Sequence, residues 1–295
     1  MYYYKLFGRI VASDLEFAYL VKAEERDYDI WIHSGEIPEE LLGKLFGCSL
    51  GEEVSWFVNK YCYLYILNRN EIIYKLKDGI EIGEIGAFIM GWGMAILGMQ
   101  LEVNPMHCSA IASDTGAVLI SGESGSGKST VTETLLRKGW NFMADDMTYV
   151  EIEQDGSVMV QPAFPYQKLC RDAAMQKGYS LEELIYIDED KDKFLVPYRG
   201  TFVSEKVPMK ALILLQKEQR EDVVLEELSG LHKMITCANN LFLRKVLGKE
   251  RMVGEIGKRC FRMADGIRVF VIKRPEEGDS LQAVEQKVTE ITQIL

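Results

Sequence analysis

Apolar and polar positions follow different periods in the two parts of the chain. In the first part, three runs rich in aromatic and β-branched residues predict β-strands, and they cover residues 2–11, 28–33 and 54–67. The last run is followed by Asn68-Arg69-Asn70 and a second apolar run at residues 71–76, which predicts a hairpin. Residues 38–46 open with Pro38 and two acidic residues, and their leucine spacing predicts a short helix.

An uncharged, glycine-containing run at residues 85–99 follows the predicted strands. It is shorter than the ~17 to 25 residues of a membrane-spanning helix, so it predicts a helix buried in a protein core. The composition changes directly afterwards, at Asn104-Pro105. We therefore predict two domains, a smaller β-rich α+β domain over residues 1–104 and a second domain over residues 105–295.

Strands and helices alternate after Met106, which is typical of an α/β fold. The predicted strands cover residues 109–112, 117–120, 142–144, 149–152, 211–216 and 268–272. The predicted helices cover residues 128–138, which Gly139 ends, and residues 281–295. A dense run of charges without an apolar face predicts a solvated loop at residues 182–193.

Composition narrows the classes of function. The 295 residues include 34 Lys and Arg against 45 Asp and Glu, a net charge of −11, so we expect no nucleic-acid partner held by overall positive charge. Hydrophobic residues make up 47% of the chain, which is enough for a sizeable core. The six cysteines form no CxxC pair, and the N-terminal run lacks the pattern of a signal peptide. These features predict a cytoplasmic protein with reduced thiols and no membrane partner.

One motif carries most of the chemistry. A GxxxxGK[ST] run lies directly after an apolar strand and opens a helix, which is the arrangement of a phosphate-binding loop, or P-loop. In such a loop, backbone amides and the helix N-terminus hold phosphates, the lysine reaches the β- and γ-phosphates, and the serine hydroxyl ligates magnesium. The motif predicts ATP and Mg²⁺ as cofactors. The predicted nucleotide-binding residues are Gly122, Glu123, Ser124, Gly125, Ser126, Gly127, Lys128, Ser129 and Thr130.

A pair of acidic residues, Asp145-Asp146, ends the predicted strand 142–144. In P-loop proteins an acidic side chain at such a position meets the metal, and a second carboxylate can accept the proton of an attacking hydroxyl. The residues alone leave open which acid has which role; Ser129 and Asp146 are the predicted metal-side pair. His107 precedes the strand that leads to the loop and is a third catalytic candidate, although a lone histidine is more often structural.

These residues together resemble a known enzyme family. The catalytic domain of HPr kinase/phosphorylase pairs a histidine, a P-loop, a helix ending in Arg-x-Gly and an Ala-Asp-Asp triplet, and residues 107–146 of this chain look similar to it. The resemblance implies a P-loop kinase core akin to phosphoenolpyruvate carboxykinase, which uses ATP and magnesium to phosphorylate a serine hydroxyl. It further implies that Asp145 is the base, Asp146 its metal-side neighbour and His107 a helper. The whole chain looks closer to HPr-kinase-related proteins of similar length, including those that tailor ribosomal peptides.

We therefore expect an ATP-dependent kinase that transfers the γ-phosphate to a hydroxyl, with Ser or Thr of a peptide or protein as the first choice of acceptor. Two alternatives stay open, a kinase of small-molecule alcohols and a nucleotide-binding sensor that transfers nothing. Phosphorolysis and the oligomeric state are also open, with a homo-oligomer among the alternatives. Four basic residues are further candidates for contact with phosphate or acceptor, although most such charges are simply solvated: Lys193, Arg199, Arg244 and Lys245.

Overall fold

The computed structural model describes residues 1–188, 192–248, 252 and 254–295. Within them the chain is a mixed α/β protein with several β-sheets, so the predicted α/β class is confirmed. The described residues divide into two compact units. The first contains Met1–Pro105 and Phe164–Arg199, and the second contains Met106–Ala163 and Gly200–Leu295. The chain therefore leaves the first unit after Pro105 and returns to it at Phe164.

One sheet makes up most of the first unit. Its strands are β1 (Tyr2–Leu6), β2 (Arg9–Ser13), β3 (Val21–Lys22), β4 (Ile30–Ser34), β5 (Gly47–Ser49), β6 (Val54–Val58), β7 (Cys62–Leu67) and β8 (Glu71–Leu76). They lie in the order β3-β1-β2-β4-β8-β7-β6-β5. Strand β4 is parallel to both of its neighbours, and the other described pairs are antiparallel.

The predicted strand-rich character and the hairpin of this unit are confirmed, but the runs 2–11 and 54–67 each span two antiparallel strands, β1–β2 and β6–β7, rather than one. Strands β7 and β8 pair with Leu67 opposite Glu71. Asn68 and Arg69 between them have φ values of 51° and 63°, the left-handed values that a tight hairpin turn needs. The predicted helix at residues 38–46 is wrong beyond its first turn, because only Glu39–Leu41 is helical, as a single 3-10 turn.

The apolar run forms a helix with a wider turn in its middle. Helix α1 (Gly86–Phe88) continues through a π-helical turn, Ile89–Gly93, into α2 (Met94–Gln100). Ile89 and Leu97 are fully buried, so the prediction of a core helix is confirmed.

This helical stretch is longer than the sequence predicted. With the preceding 3-10 turn it covers Ile82–Gln100, 19 residues, which is long and apolar enough to cross a membrane by length and composition alone. Of the most apolar 18-residue stretch of this helix, 56% is buried inside the protein. The burial of the helix, rather than its length, is what matches a core helix.

A second sheet forms the body of the second unit. Its strands are β10 (Ser109–Ser113), β11 (Gly116–Gly122), β12 (Asn141–Ala144), β13 (Thr148–Ile152), β14 (Val158–Gln161), β18 (Val207–Glu218), β19 (Val224–Glu227) and β20 (Arg268–Pro275), and β9 (Asn104–Met106) lies where the chain enters the unit. Strands β12, β10, β11, β18, β14 and β13 follow one another in that order, while β20 pairs with β18 and β19 pairs with β20. Strand β18 pairs with β14 near its start and with β20 from Ala211 onward.

Three strands of this sheet, β11, β18 and β20, are parallel. Buried parallel strands read as continuous apolar runs, which is why residues 117–120 were recognisable as a strand. Helices α3 (Lys128–Arg137) and α7 (Leu281–Thr292) contribute Val131 and Val288 to a core that includes Ile120 and Ile213. The unit also contains α5 (Gly230–Asn239) and α6 (Glu255–Asp265), which the sequence pattern did not predict.

The segment that returns to the first unit forms a small antiparallel sheet. It contains β15 (Tyr166–Cys170), α4 (Arg171–Gln176), β16 (Ile185–Asp188) and β17 (Lys193–Pro197), with the strand order β15-β17-β16. The prediction of a solvated loop at residues 182–193 is wrong at Ile185–Asp188 and at Lys193, which lie in strands; residues 189–191 lie outside the described part. The cause is pairing with β17, in which Tyr186 lies opposite Phe194 with their ring centroids 5.1 Å apart.

All six cysteines are free. Burial raises the pKa of the Cys62 and Cys237 thiols to about 12 and that of Cys260 to about 11. These buried thiols are therefore protonated and unreactive at neutral pH.

Candidate active site

The GxxxxGK[ST] run joins β11 to α3 at the carboxyl edge of the three parallel strands. Ligands of open α/β sheets bind at that edge. The loop turns sharply because Gly122, Gly125 and Gly127 have φ values of 144°, 76° and 106°, which residues with a side chain rarely adopt. The predicted residues from Gly122 to Thr130 thus lie in one loop and the first turn of the helix.

Gly122 is the tightest position in this loop. A Cβ atom there would lie 2.4 Å from the carbonyl oxygen of Leu215 and 2.6 Å from Oγ of Ser126. Both distances are far below normal van der Waals contact. Only glycine fits against the neighbouring strand β18.

We expect Gly122→Ala to lower the melting temperature strongly and to abolish ATP binding, because the new methyl group must displace the β18 backbone. Gly139→Ala is the matched control, since Gly139 also has a positive φ of 92° but nothing lies within 4 Å of its Cβ position. Its cost is that of a left-handed backbone, about 1–2 kcal/mol. Thermal unfolding and ATP titration of both variants check this, and equal melting temperatures would contradict the close contact.

The start of α3 is open to an anion. Its N-cap, Gly127, has no side chain, no side-chain cap hydrogen bond is present, and the first turn contains no acidic residue. The partial positive charge of the helix N-terminus is therefore not neutralised locally. The Lys128 ammonium lies over the loop and donates to the carbonyl oxygens of Gly122 (2.5 Å) and Glu123 (3.0 Å). Ser129 and Thr130 are exposed in the first turn.

Ser126 adds a buried hydroxyl to the loop. The residue is 3% exposed, and its Oγ has no hydrogen-bond partner among the described residues. An unpaired buried hydroxyl costs about 1–3 kcal/mol. The loop therefore contains a polar group that a phosphate oxygen would satisfy, which fits the predicted ligand.

The acidic pair lies at the same edge of the sheet as the loop. Strands β11 and β12 both run antiparallel to β10 between them, so their carboxyl ends meet one edge, about 10 Å apart at two strand spacings. Ser109, at the start of β10, donates its hydroxyl to Oδ1 of Asp145 at 2.8 Å. This hydrogen bond orients the Asp145 carboxylate, a role for Ser109 that the sequence analysis did not identify.

Asp146 has an uncommon backbone conformation, with φ of 70°. The Met147 amide donates to the Asp145 carbonyl oxygen at 2.9 Å and closes a three-residue turn around it. Sparsely populated conformations of this kind cluster at functional sites. The turn directs the Asp146 backbone carbonyl to the imidazole of His107, whose Nδ1 is 3.0 Å from that oxygen.

The His107 imidazole lies close to both the backbone and the side chain of Asp146. Besides the contact with the carbonyl oxygen, Nδ1 of His107 is 3.8 Å from Oδ1 of the Asp146 carboxylate. A carbonyl oxygen only accepts, so Nδ1 carries the proton in this contact. The sequence-predicted residues His107, Asp145 and Asp146 are thus brought together.

The backbone of His107 is fixed from two sides. Its amide donates to the carbonyl oxygen of Asn240 at 2.8 Å, and its carbonyl oxygen accepts from the Ser121 hydroxyl at 2.8 Å. The next residue, Cys108, is fully buried, and burial together with the Asp145 and Asp146 carboxylates raises the pKa of its thiol. Cys108 is therefore an uncharged neighbour of the acidic pair and not a nucleophile.

Two cations lie at this edge that the sequence analysis did not identify. Arg274, near the end of β20, donates from Nε to the Ser126 carbonyl oxygen at 2.9 Å and from Nη2 to that of Gly125 at 3.2 Å. Nζ of Lys217, near the end of β18, is 3.8 Å from where a Cβ atom of Gly125 would lie. In the sequence, the one signal for either residue is its place just after an apolar run that predicts a strand, residues 211–216 and 268–272.

The four basic residues predicted from the sequence have other surroundings. Lys193 and Arg199 belong to the first unit, where the Arg199 guanidinium lies 5.2 Å from the ring centroid of Tyr179. Arg244 donates to the Asn239 side chain at 3.1 Å. No described contact joins Arg244 or Lys245 to the loop.

The oxygen ligands at this edge fit a magnesium ion that arrives with a nucleotide. Within the described ranges, no group of three or more His, Cys, Asp or Glu side chains is placed to hold a metal by itself. Mg²⁺ is usually held by one or two carboxylates together with substrate phosphates. The Asp146 carboxylate, 20% exposed, and the Ser129 hydroxyl are oxygen donors of that kind.

Comparison with known proteins adds a distant likeness to solved structures. No family model matches the chain, and no curated protein matches it. Among solved structures, the chain is similar to the Hpr(Ser) kinase/phosphatase from Coxiella burnetii, with 15% sequence identity and a TM-score of 0.34. The match covers 64% of this chain and 90% of that one. A likeness at this TM-score is too loose to define a common active site.

Proposed function

We propose that the protein is an ATP-dependent kinase that transfers the γ-phosphate of ATP to a hydroxyl group. The observation that carries this proposal is the shared sheet edge, where the glycine-rich loop with Lys128 and the pair Asp145-Asp146 follow strands that point the same way. At this edge, the glycine-rich loop after β11 presents hydrogen-bond donors for phosphates, and the end of β12 presents two carboxylates. A phosphoryl transfer enzyme needs both.

In the proposed reaction, each residue of the site has a separate role. The hydroxyl oxygen of the acceptor forms a bond to the γ-phosphorus, the bond from that phosphorus to the β–γ bridging oxygen breaks, and ADP leaves. Asp145, oriented by Ser109, accepts the hydroxyl proton. Lys128 and the loop amides would hold the phosphates, and Asp146 and Ser129 would hold a magnesium ion, whose charge would offset that of the phosphates.

His107 has a supporting part in this proposal. Its Nδ1 donates to the Asp146 carbonyl oxygen at 3.0 Å. The ring therefore braces the turn that carries Asp146. This agrees with the helper role that the family resemblance implies.

For the acceptor we propose Ser or Thr of a peptide or protein, on the resemblance of residues 107–146 to HPr kinase/phosphorylase. The six free cysteines support placing the protein in the cytoplasm. Two outcomes would replace this proposal. The acceptor could prove to be a small-molecule alcohol, or the protein could bind nucleotide without transferring phosphate.

Transfer of labelled γ-phosphate from ATP tests the proposed function. The parent protein is incubated with labelled ATP, magnesium and either a cell extract freed of small molecules or the small-molecule fraction, and the modified atom is mapped by mass spectrometry. We expect label on Ser or Thr of a polypeptide. Label only in the small-molecule fraction would change the acceptor class, and tight ATP binding without label in either fraction would indicate a sensor.

A further inference from the structure

Arg274 reaches the tip of the glycine-rich loop from a strand that is distant in sequence. Its guanidinium donates to two consecutive carbonyl oxygens, those of Gly125 and Ser126, at 3.2 and 2.9 Å. It also lies against the next residue, because its Nε is 3.9 Å from where a Cβ atom of Gly127 would lie. From the same side chain, Nη1 is 3.4 Å from Oγ of Ser280 at the start of α7. One half-buried arginine thus connects three loop residues with the strand and helix that follow.

The two accepted carbonyls fix the direction of the amides beside them. In a planar trans peptide, the C=O of one residue and the N–H of the next point to opposite sides. Holding the Ser126 carbonyl against Arg274 therefore directs the Gly127 amide away from the arginine. Holding the Gly125 carbonyl does the same for the Ser126 amide, which closes the loop turn by donating to the Glu123 carbonyl oxygen at 3.1 Å.

Glycines give this loop the freedom that makes such a brace useful. Gly125 and Gly127 have positive φ values, and glycine loses more conformational entropy than other residues when it is fixed. A loop that is ordered before its ligand arrives binds more tightly, because the ordering cost is not taken from the binding free energy.

We propose that Arg274 is a positioning residue that holds the phosphate loop in its binding conformation before nucleotide arrives. This inference rests on the phosphate-binding part of the proposed function and not on the transfer step. The arginine acts through the loop backbone, and the fork of its guanidinium, which bonds two carbonyls at once, is the feature required. A single ammonium group at this position does not reproduce it.

Three variants distinguish the effect of the forked guanidinium of Arg274 from the effect of its charge. Arg274→Lys keeps the charge and loses the fork, Arg274→Gln loses both, and Arg268→Gln is the matched control, because it removes a forked arginine at the other end of β20 that binds the Glu227 carboxylate. We expect both Arg274 variants to weaken calorimetric binding of MgATP and MgADP by about tenfold or more, and Arg268→Gln, which removes only a surface ion pair, to stay within about threefold. Parental affinity in Arg274→Lys would overturn the proposal, because the charge alone would then suffice.

A measurement without nucleotide tests the brace directly. Hydrogen–deuterium exchange of the peptide that covers residues 122–129 should be faster in both Arg274 variants than in the parent or in Arg268→Gln, while the peptide of β18 is unchanged. Equal exchange in the loop would overturn the proposal, and faster exchange everywhere would show a general structural role instead. A parent that binds nucleotide but transfers no phosphate would remove the kinase proposal and leave this result standing.

Discussion

Replacing Asp145 with asparagine should abolish phosphate transfer while MgATP binding stays within a small factor of the parent. A serine hydroxyl is a poor nucleophile until its proton has an acceptor, and a positioned carboxylate contributes ~10² to 10⁴-fold in such steps. The Ser109 hydroxyl donates to the Asp145 carboxylate at 2.8 Å, so the proposed base is oriented before an acceptor binds. Asparagine keeps the size of the side chain and loses the base. Single-turnover transfer and calorimetric titration with MgATP measure the two effects separately.

Asp146→Asn is the control for this prediction, because the two acids could exchange roles. If Asp146 is on the metal side, its variant should lose MgATP affinity and transfer together. Parental transfer rates in both variants would contradict the assignment of the base to this pair, and His107 would then be the residue to test.

Lys128→Ala should lower phosphate transfer by several orders of magnitude. The Lys128 ammonium is the loop's own cation, held over the loop by the Gly122 and Glu123 carbonyl oxygens. Its removal takes charge stabilisation from the transferred phosphoryl group, where electrostatic contributions are largest. Because the side chain lies outside the hydrophobic core, the melting temperature should stay close to that of the parent.

Lys138→Ala is the matched control, since it removes a lysine just beyond the other end of α3, where Nζ contacts the Thr289 hydroxyl at 2.9 Å. Steady-state transfer assays on both variants should show a loss only for Lys128→Ala. If Lys128→Ala turned over ATP at the parental rate, the proposal that this loop binds the phosphates would be wrong.

The parts of the site that the sequence predicted are those encoded within short segments. The loop, its flanking strand and its helix are contiguous, so the glycine spacing and the apolar run of residues 117–120 were sufficient. The pair Asp145-Asp146 was also recognisable, because it ends an apolar strand. The direction of β12 relative to β11, which brings the pair to the same edge, became visible only in the strand pairing.

The parts that the sequence did not predict depend on contacts between distant segments. Arg274 lies 148 residues after Ser126, whose carbonyl it binds, and no local pattern distinguishes it from other arginines. Ser109 is an ordinary strand residue until β12 places Asp145 beside it. The same reason explains the charged run before Phe194, which has no apolar face of its own and is recruited as β16 by pairing with β17.

The placement of Arg274 has a consequence for synthesis of the chain. The ribosome completes the glycine-rich loop at residue 129 but adds the Arg274 side chain that contacts it only about 145 residues later, roughly 7 to 30 s at ~5–20 residues per second. Until β20 arrives, β18 lacks its neighbour from Ala211 onward and presents an open edge to other chains. The nascent protein therefore passes through a stage at which the loop is present but unsupported, and chaperone protection during that interval would matter more for this fold than for one completed in sequence order.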